Sequence, residues 1–335
     1  MSASASRAPG LGPAGGDPDL IARVESLLRE AGLRDRGSVV HVKDHLSTEA
    51  HFGAGPDTVY EIGSLAKTMT SLLFAEAVES GELTAESTLG SLLDLGSSHV
   101  ADVTLEELAS HRSGLPRIAA GPRDRVAALL AVLRHRNPYT ADATTLIAQA
   151  RTARIAERGS FSYSNLGTAL LGEALAVRAG TGYPELLDRQ LFGRLGMKQS
   201  STPLSARDLP PGAPTGWSAG GKSEEAWTLN AYAPAGGVRS TPADMCRYAQ
   251  ALLDRRAPGL DALEPRWDAD NGSRVGYAWF TNRIGGVDIT WHNGRTGGFT
   301  SMLALDRNRA AAVVILANTA VAVDEIAIRI LLDAI

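Results

Sequence analysis

An α+β fold is expected, with one antiparallel sheet drawn from both ends of the chain, helices flanking it and an all-helical lobe inserted between the two ends. Three features of the 335-residue sequence predict it. Strand-like apolar runs fall in the first sixty residues or so and return after residue 274. The stretch between them is mainly helical in its periodicity. A helix that is apolar around its whole circumference begins near Ser64, which places it inside a large core. A chain of this length can bury such a core, as one unit or as two closely packed ones.

The segment from Met1 to Asp19 is rich in Ala, Ser, Gly and Pro, and it has neither the charged start nor the apolar run of a secretory leader. Residues 1–16 are expected to be a disordered tail, ahead of a single unit spanning 17–335. Asp17-Pro18 has the chemistry of an N-cap and a first-turn proline, and Leu20, Ile21, Val24, Leu27 and Leu28 then repeat at helical spacing as far as Gly32. Residues 37–42 read as a strand and 50–52 as a shorter one.

After Glu61-Ile62-Gly63-Ser64-Leu65-Ala66-Lys67-Thr68 comes the apolar helix, with Gly81 as its stop. Residues 84–200 are mainly helical, and Thr104-Leu105-Glu106-Glu107 is a capping box. His111 through Pro116 breaks that helix, and the arginines scattered over 117–157 read as a solvated face. The Gly- and Pro-rich stretch 203–238 carries Trp217, Trp227 and Tyr232 and reads as a long loop over a site. Thr241-Pro242-Ala243-Asp244 caps a further helix. Strands follow at 275–280, 287–291, 300–305 and 311–316, with turns at Asn282-Arg283, Gly285-Gly286 and Asp306-Arg307-Asn308, and a last helix at 323–335. The sheet lobe thus takes 17–60 and about 240–335, and the helical lobe with its loops takes about 61–239.

Composition removes several function classes. A net charge of −4 supplies no basic field for nucleic acid or an anionic membrane. No segment reaches the roughly 18 apolar residues of a membrane span. The single Cys246 has no partner for an internal disulfide, which fits a reducing compartment, and a cytoplasmic location is expected. The histidines at 41, 45, 51, 99, 111 and 135 lack metal-ligand spacing on a shared helix face, and no Gly-rich phosphate loop is present. Neither a metal nor a cofactor is expected.

The chemistry starts at Ser64 and Lys67, three residues apart and therefore on one helix face. A buried ammonium needs a partner or gives up its proton, and a neutral lysine can serve as the base that activates a serine. Serine as a plain N-cap would leave Lys67 unexplained. Two further groups join it, Tyr163-Ser164-Asn165 and His292-Asn293-Gly294 followed by Arg295-Thr296-Gly297-Gly298. Each is common alone; their order and setting raise their weight.

On these three motifs, with Glu82-Leu83-Thr84, His111 through Pro116, Leu195-Gly196-Met197 and Pro234-Ala235-Gly236-Gly237, the chain over roughly residues 20–335 resembles the serine-active-site superfamily of class C β-lactamases, D-alanyl-D-alanine carboxypeptidases and family VIII carboxylesterases. The resemblance implies the β-lactamase/transpeptidase-like fold and a covalent acyl-enzyme on Ser64. Lys67 and Tyr163 would exchange the proton, and Asn165 would hold Lys67 and the substrate by hydrogen bonds. The backbone N–H groups of Ser64 and Arg295 would form an oxyanion hole. Asn293, Gly294, Arg295, Thr296 and Gly297 would lie along the substrate, the glycines allowing close approach. Trp217, Trp227 and Tyr232 would line the pocket and prefer a flat or apolar group.

His292 stands where class C β-lactamases carry a lysine. An imidazole is close to neutral at pH 7, which argues against a dedicated β-lactamase, and Arg295 either restores positive charge or points to solvent. The expected reaction is hydrolysis of a small-molecule ester, thioester or amide. The alternatives are transfer of the acyl group to an amine or alcohol acceptor, a D-Ala-D-Ala carboxypeptidase or β-lactamase, and a catalytically silent ligand binder.

Overall fold

The computed structural model describes residues 8–118, 121–210 and 212–333, with backbone alone for 122–125. Its main sheet has nine strands: β1 (Ala14–Gly16), β2 (Gly37–Lys43), β3 (Leu46–Phe52), β4 (Trp267–Asp268), β5 (Arg274–Val275), β6 (Phe280–Ile284), β7 (Val287–Arg295), β8 (Thr300–Asp306) and β9 (Ala311–Ala317). Their order across the sheet is β1-β3-β2-β9-β8-β7-β6-β5-β4, every neighbour antiparallel. The central pairing of β2 with β9, Val40 opposite Val314, joins the start of the chain to its end. Both ends therefore build one sheet, as the clustering of strand-like runs predicts.

That sheet is apolar on both faces. Along β2, β8 and β9, Val40, Leu303, Leu305, Val314 and Leu316 face one core, and Val39, Met302, Ala304, Val313 and Ile315 face the other. Period-two alternation alone would leave one face wet; here both members of each alternating pair are buried. Each fully buried Val, Leu or Ile is worth about 1.5–3 kcal/mol. The Pro18–Glu30 and Asp324–Leu331 helices cover one face, and the first is capped where Asp17 accepts the Leu20 N–H at 2.8 Å. The other face packs on the helical lobe, centred on Ala66–Glu79 and Asn165–Ala179. No helix among the described residues is long and apolar enough to cross a membrane.

Four sequence expectations need correction. Residues 8–16 are not a free tail: Leu11 is buried and Ala14–Gly16 pairs with β3, Ala14 opposite Phe52. An unpaired sheet edge offers a row of backbone groups, and a segment of small residues can satisfy them without a core of its own; residues 1–7 lie outside the described residues. The run 275–280 is not one strand, because Ala278 adopts a positive φ of 62° and separates β5 from β6. Asn282 and Arg283 continue β6, so the reversal falls on Gly285-Gly286 alone. The last helix spans Asp324–Leu331, shorter than expected.

Candidate active site

Ser64 sits in a single 3-10 turn, Gly63–Leu65, that runs directly into the Ala66–Glu79 helix. Gly63 has φ +51°, and a Cβ there would stand 2.7 Å from the backbone nitrogen of Arg295. Only glycine lets the turn press against the end of β7 in this way. Lys67, one turn on, is fully buried, with Nζ 3.0 Å from Ser64 Oγ and donating to the Ala235 carbonyl at 2.5 Å. Burial, and after it the charge of Arg117, pushes the Lys67 amine well below its ordinary range, which favours its neutral form. The Ala233–Gly236 turn that supplies the carbonyl is also tied to the helix by Thr70 Oγ1, which donates to Pro234 O at 2.8 Å.

The Tyr163 phenol faces the Ser64 side chain, and its ring lies 5.0 Å from Lys67 Nζ. Burial pushes its phenol up to about 12, so it keeps its proton across the neutral range. Two histidines flank the ring, His111 at 4.5 Å and His292 at 6.4 Å between centroids. Burial is the main cause that lowers His111 well below the usual histidine range and His292 to about 3. Both are neutral, and their hydrogen bonds assign the tautomers. His111 Nδ1 accepts the Ser164 N–H at 3.3 Å, so its proton is on Nε2. His292 Nδ1 donates to the Asn293 carbonyl at 2.6 Å, so its Nε2 is an acceptor.

A cavity of about 230 Å³ opens at the serine, lined by Gly63, Ser64, Arg117, Tyr139, Asn165, Trp227, Ala235, Arg295 and Thr296 among others. The residues singled out in the sequence divide here. Ser64, Lys67, Tyr163, Asn165 and His292 converge, and Arg295, Thr296 and Trp227 reach the cavity. Asn165 does not hold Lys67: its Nδ2 donates to the Tyr139 hydroxyl at 3.0 Å and its Oδ1 has no partner among the described residues. The Ala235 carbonyl takes that place. Asn293 points to the other face of β7 and donates to Asp324 Oδ1 at 2.5 Å, as period two requires of a neighbour of the inward-facing His292.

Gly294 is required by the fold, since a Cβ there would lie 1.9 Å from the Ile62 carbonyl. Gly297 likewise makes room for Trp227, whose Nε1 would be 2.9 Å from its Cβ. Trp217 does not line the cavity, its indole donating instead to Asp35 Oδ2 at 3.1 Å, and Tyr232 is buried behind Tyr139 at 5.2 Å between ring centroids.

Several participants escape a reading of the sequence. Arg117 is one arginine in a run that reads as solvated, and nothing in the spacing separates it from the others. Tyr139 carries no motif. Ala235 acts through its carbonyl, so its side chain gives no signal. Glu61 and Arg239 form a buried ion pair beneath the site, with Glu61 Oε1 accepting from Arg239 Nη2 at 2.5 Å and from the Trp227 N–H at 2.9 Å. A glutamate just ahead of an apolar helix is the available clue. Among the described residues no cluster of His, Cys, Asp or Glu is arranged to hold a metal.

Comparison with known proteins agrees with this fold. A class C beta-lactamase crystal structure superposes with a TM-score of 0.80 at 20% identity, covering 94% of this chain and 96% of that one, a likeness of fold. An unguisins hydrolase of Aspergillus campestris is 26% identical over 310 residues, 79% of this chain and 53% of its own length. The D-alanyl-D-alanine-carboxypeptidase/endopeptidase AmpH of Escherichia coli is 31% identical over 205 residues, 59% of this chain and 49% of its own length. The chain thus spans about half the length of these two relatives. The sequence model of the beta-lactamase family matches residues 29–334, nearly the whole chain, and the chain belongs to that family.

Proposed function

We propose that the chain is a serine acyl-enzyme hydrolase acting on a small-molecule ester, thioester or amide. The observation that carries this reading is one line of groups: the Tyr163 phenol facing Ser64, Ser64 Oγ 3.0 Å from the Lys67 amine, and Lys67 on the Ala235 carbonyl. With Tyr163 protonated and Lys67 neutral, the roles separate. Ser64 Oγ bonds to the substrate's carbonyl carbon while its proton passes to Lys67 Nζ. The negative charge that develops on the carbonyl oxygen meets the N–H groups of Ser64 and Arg295, whose segments Gly63 brings together. Each such donor is worth about 10²–10³ in turnover. Tyr163 then gives its proton to the leaving group as that bond breaks, and recovers one from Lys67. Water repeats the sequence in reverse to free Ser64. The names of the relatives, a hydrolase and a carboxypeptidase/endopeptidase, support the hydrolytic direction and an amide as well as an ester as substrate.

A second reading has its own observation. Arg117 and Arg295 both line the cavity, and neither forms an ion pair with an acidic side chain among the described residues. That favours a substrate with a carboxylate, as in a carboxypeptidase or β-lactamase. Intact-protein mass spectrometry after brief incubation with an activated short-chain ester, and separately with a penicillin, tests both. The expected result is an acyl adduct from the ester that disappears in Ser64→Ala; an adduct from the penicillin selects the second reading. Absence of any Ser64-dependent adduct or turnover would sink the proposal, and product analysis with added amines or alcohols separates hydrolysis from acyl transfer.

A further inference from the structure

A second cavity, of about 380 Å³, adjoins the catalytic one, and Tyr139 lines both. The Tyr139 ring packs on Trp227, which lines the catalytic cavity, at 5.5 Å, and on Tyr232, which lines the second, at 5.2 Å. Its hydroxyl accepts from Asn165 Nδ2, so the partition is fastened to the motif that includes Tyr163. The wall of the second cavity joins small and apolar side chains, among them Ile118, Ala128, Ala131 and Pro138, to the polar Asn137, Thr140, Thr145 and Gln149 at its margin. The Pro122–Leu133 helix turns its alanines to this space while Val126, Leu129 and Leu133 face outward at 58%, 59% and 65% exposure. A helix placed only for stability would bury the large residues and expose the alanines. The space lies beside the serine and is walled by alanine where leucine was at hand one residue away, the setting of a binding pocket.

We propose that this cavity is a binding subsite for an apolar group of the substrate, a phenyl ring or a medium-length alkyl chain, reached past Tyr139 from the carbonyl held at Ser64. The proposal rests on the acyl-enzyme reading above. The same chemistry would suit the acyl side or the alcohol side of an ester, and two substrate series tell them apart. One runs from acetyl to octanoyl on a constant activated alcohol, the other from methyl to octyl on a constant acyl group. In the wild type kcat/KM is expected to climb along one series.

Ala131→Trp fills the cavity and is expected to cut the long-to-short ratio of kcat/KM about tenfold or more, since a single methylene in an apolar pocket discriminates by about tenfold upward. Thr145→Trp, from the Ala143–Arg151 helix that also lines the cavity, repeats the test should the first variant not fold. A ratio that falls in either series supports the subsite and assigns it to that side of the ester. An unchanged ratio in both series, with Ser64 still labelled by the acetyl ester, overturns the subsite alone. Failure of every ester to label Ser64 overturns the underlying reading instead.

Discussion

Lys67 shows how one buried side chain trades stability for chemistry. An unfolded chain holds the lysine proton up to about pH 10.4, whereas in the fold burial and the charge of Arg117 push that proton off well below this. The unfolded state therefore binds the proton more tightly, and folding stability falls as the pH drops from the ordinary lysine value toward the lower folded one. In the proposed mechanism activity runs on the same group: kcat/KM is expected to rise with pH as Lys67 deprotonates, on a limb well below an ordinary lysine, and to stay level until Tyr163 titrates at about 12. Lys67→Arg keeps a cation that cannot act as a base and is expected to lose about 10²–10⁴ in kcat/KM. Lys67→Met should abolish turnover yet raise the melting temperature at neutral pH and flatten its pH dependence. Calorimetry from pH 6 to 10 beside the pH–rate profile checks both halves, and a Lys67→Met protein with unchanged pH dependence of stability would refute the account.

At the scale of elements, β7 and the 3-10 turn before the Ala66–Glu79 helix must touch, and glycines set the distance. Gly294→Ala would place a methyl 1.9 Å from the Ile62 carbonyl, a backbone atom that cannot swing aside. The strand or the turn must shift, and with it the relation between the Ser64 and Arg295 N–H groups. The expected outcome is a clear loss of both melting temperature and turnover. Asn293→Ala, on the outward face of the same strand, should leave KM unchanged. This contrast also marks what is legible in sequence. Ser64, Lys67, Tyr163 and His292 can be found because side-chain chemistry at fixed spacing leaves a trace there. Asn293, Gly294 and Trp217 fall to the substrate on a sequence reading because a motif records which residues matter and not which way they face. The edge strand at residues 14–16 escapes for a related reason: its pairing is all backbone, and poor local propensity is overridden by an open sheet edge.

Across the whole molecule, the Glu61–Arg239 pair ties together segments far apart in the chain. Both side chains are almost fully buried, at 2% and 1% exposure. Glu61 stands at the entry to Ser64, Arg239 just before the Pro242–Leu253 helix, and the carboxylate also takes the Trp227 N–H and the Thr296 side chain, one from the pocket wall and one from the residue after Arg295. Burial pushes the Glu61 carboxyl up, and the Arg239 charge opposes it, so each ion depends on the other. Removing one partner strands the other, which costs about 3–5 kcal/mol, whereas replacing both with apolar side chains is often nearly neutral. Glu61→Gln and Arg239→Met are each expected to lose stability on that scale in urea unfolding. The double change Glu61→Leu with Arg239→Met should recover most of it. Activity should not follow, because a leucine side chain in place of Glu61 offers no acceptor to Trp227 or Thr296, and the wall and the oxyanion-hole strand would lose their common tether. A double variant with native stability and slow Ser64 acylation is the expected signature; one as unstable as the single variants would show that the site is held by something other than this pair.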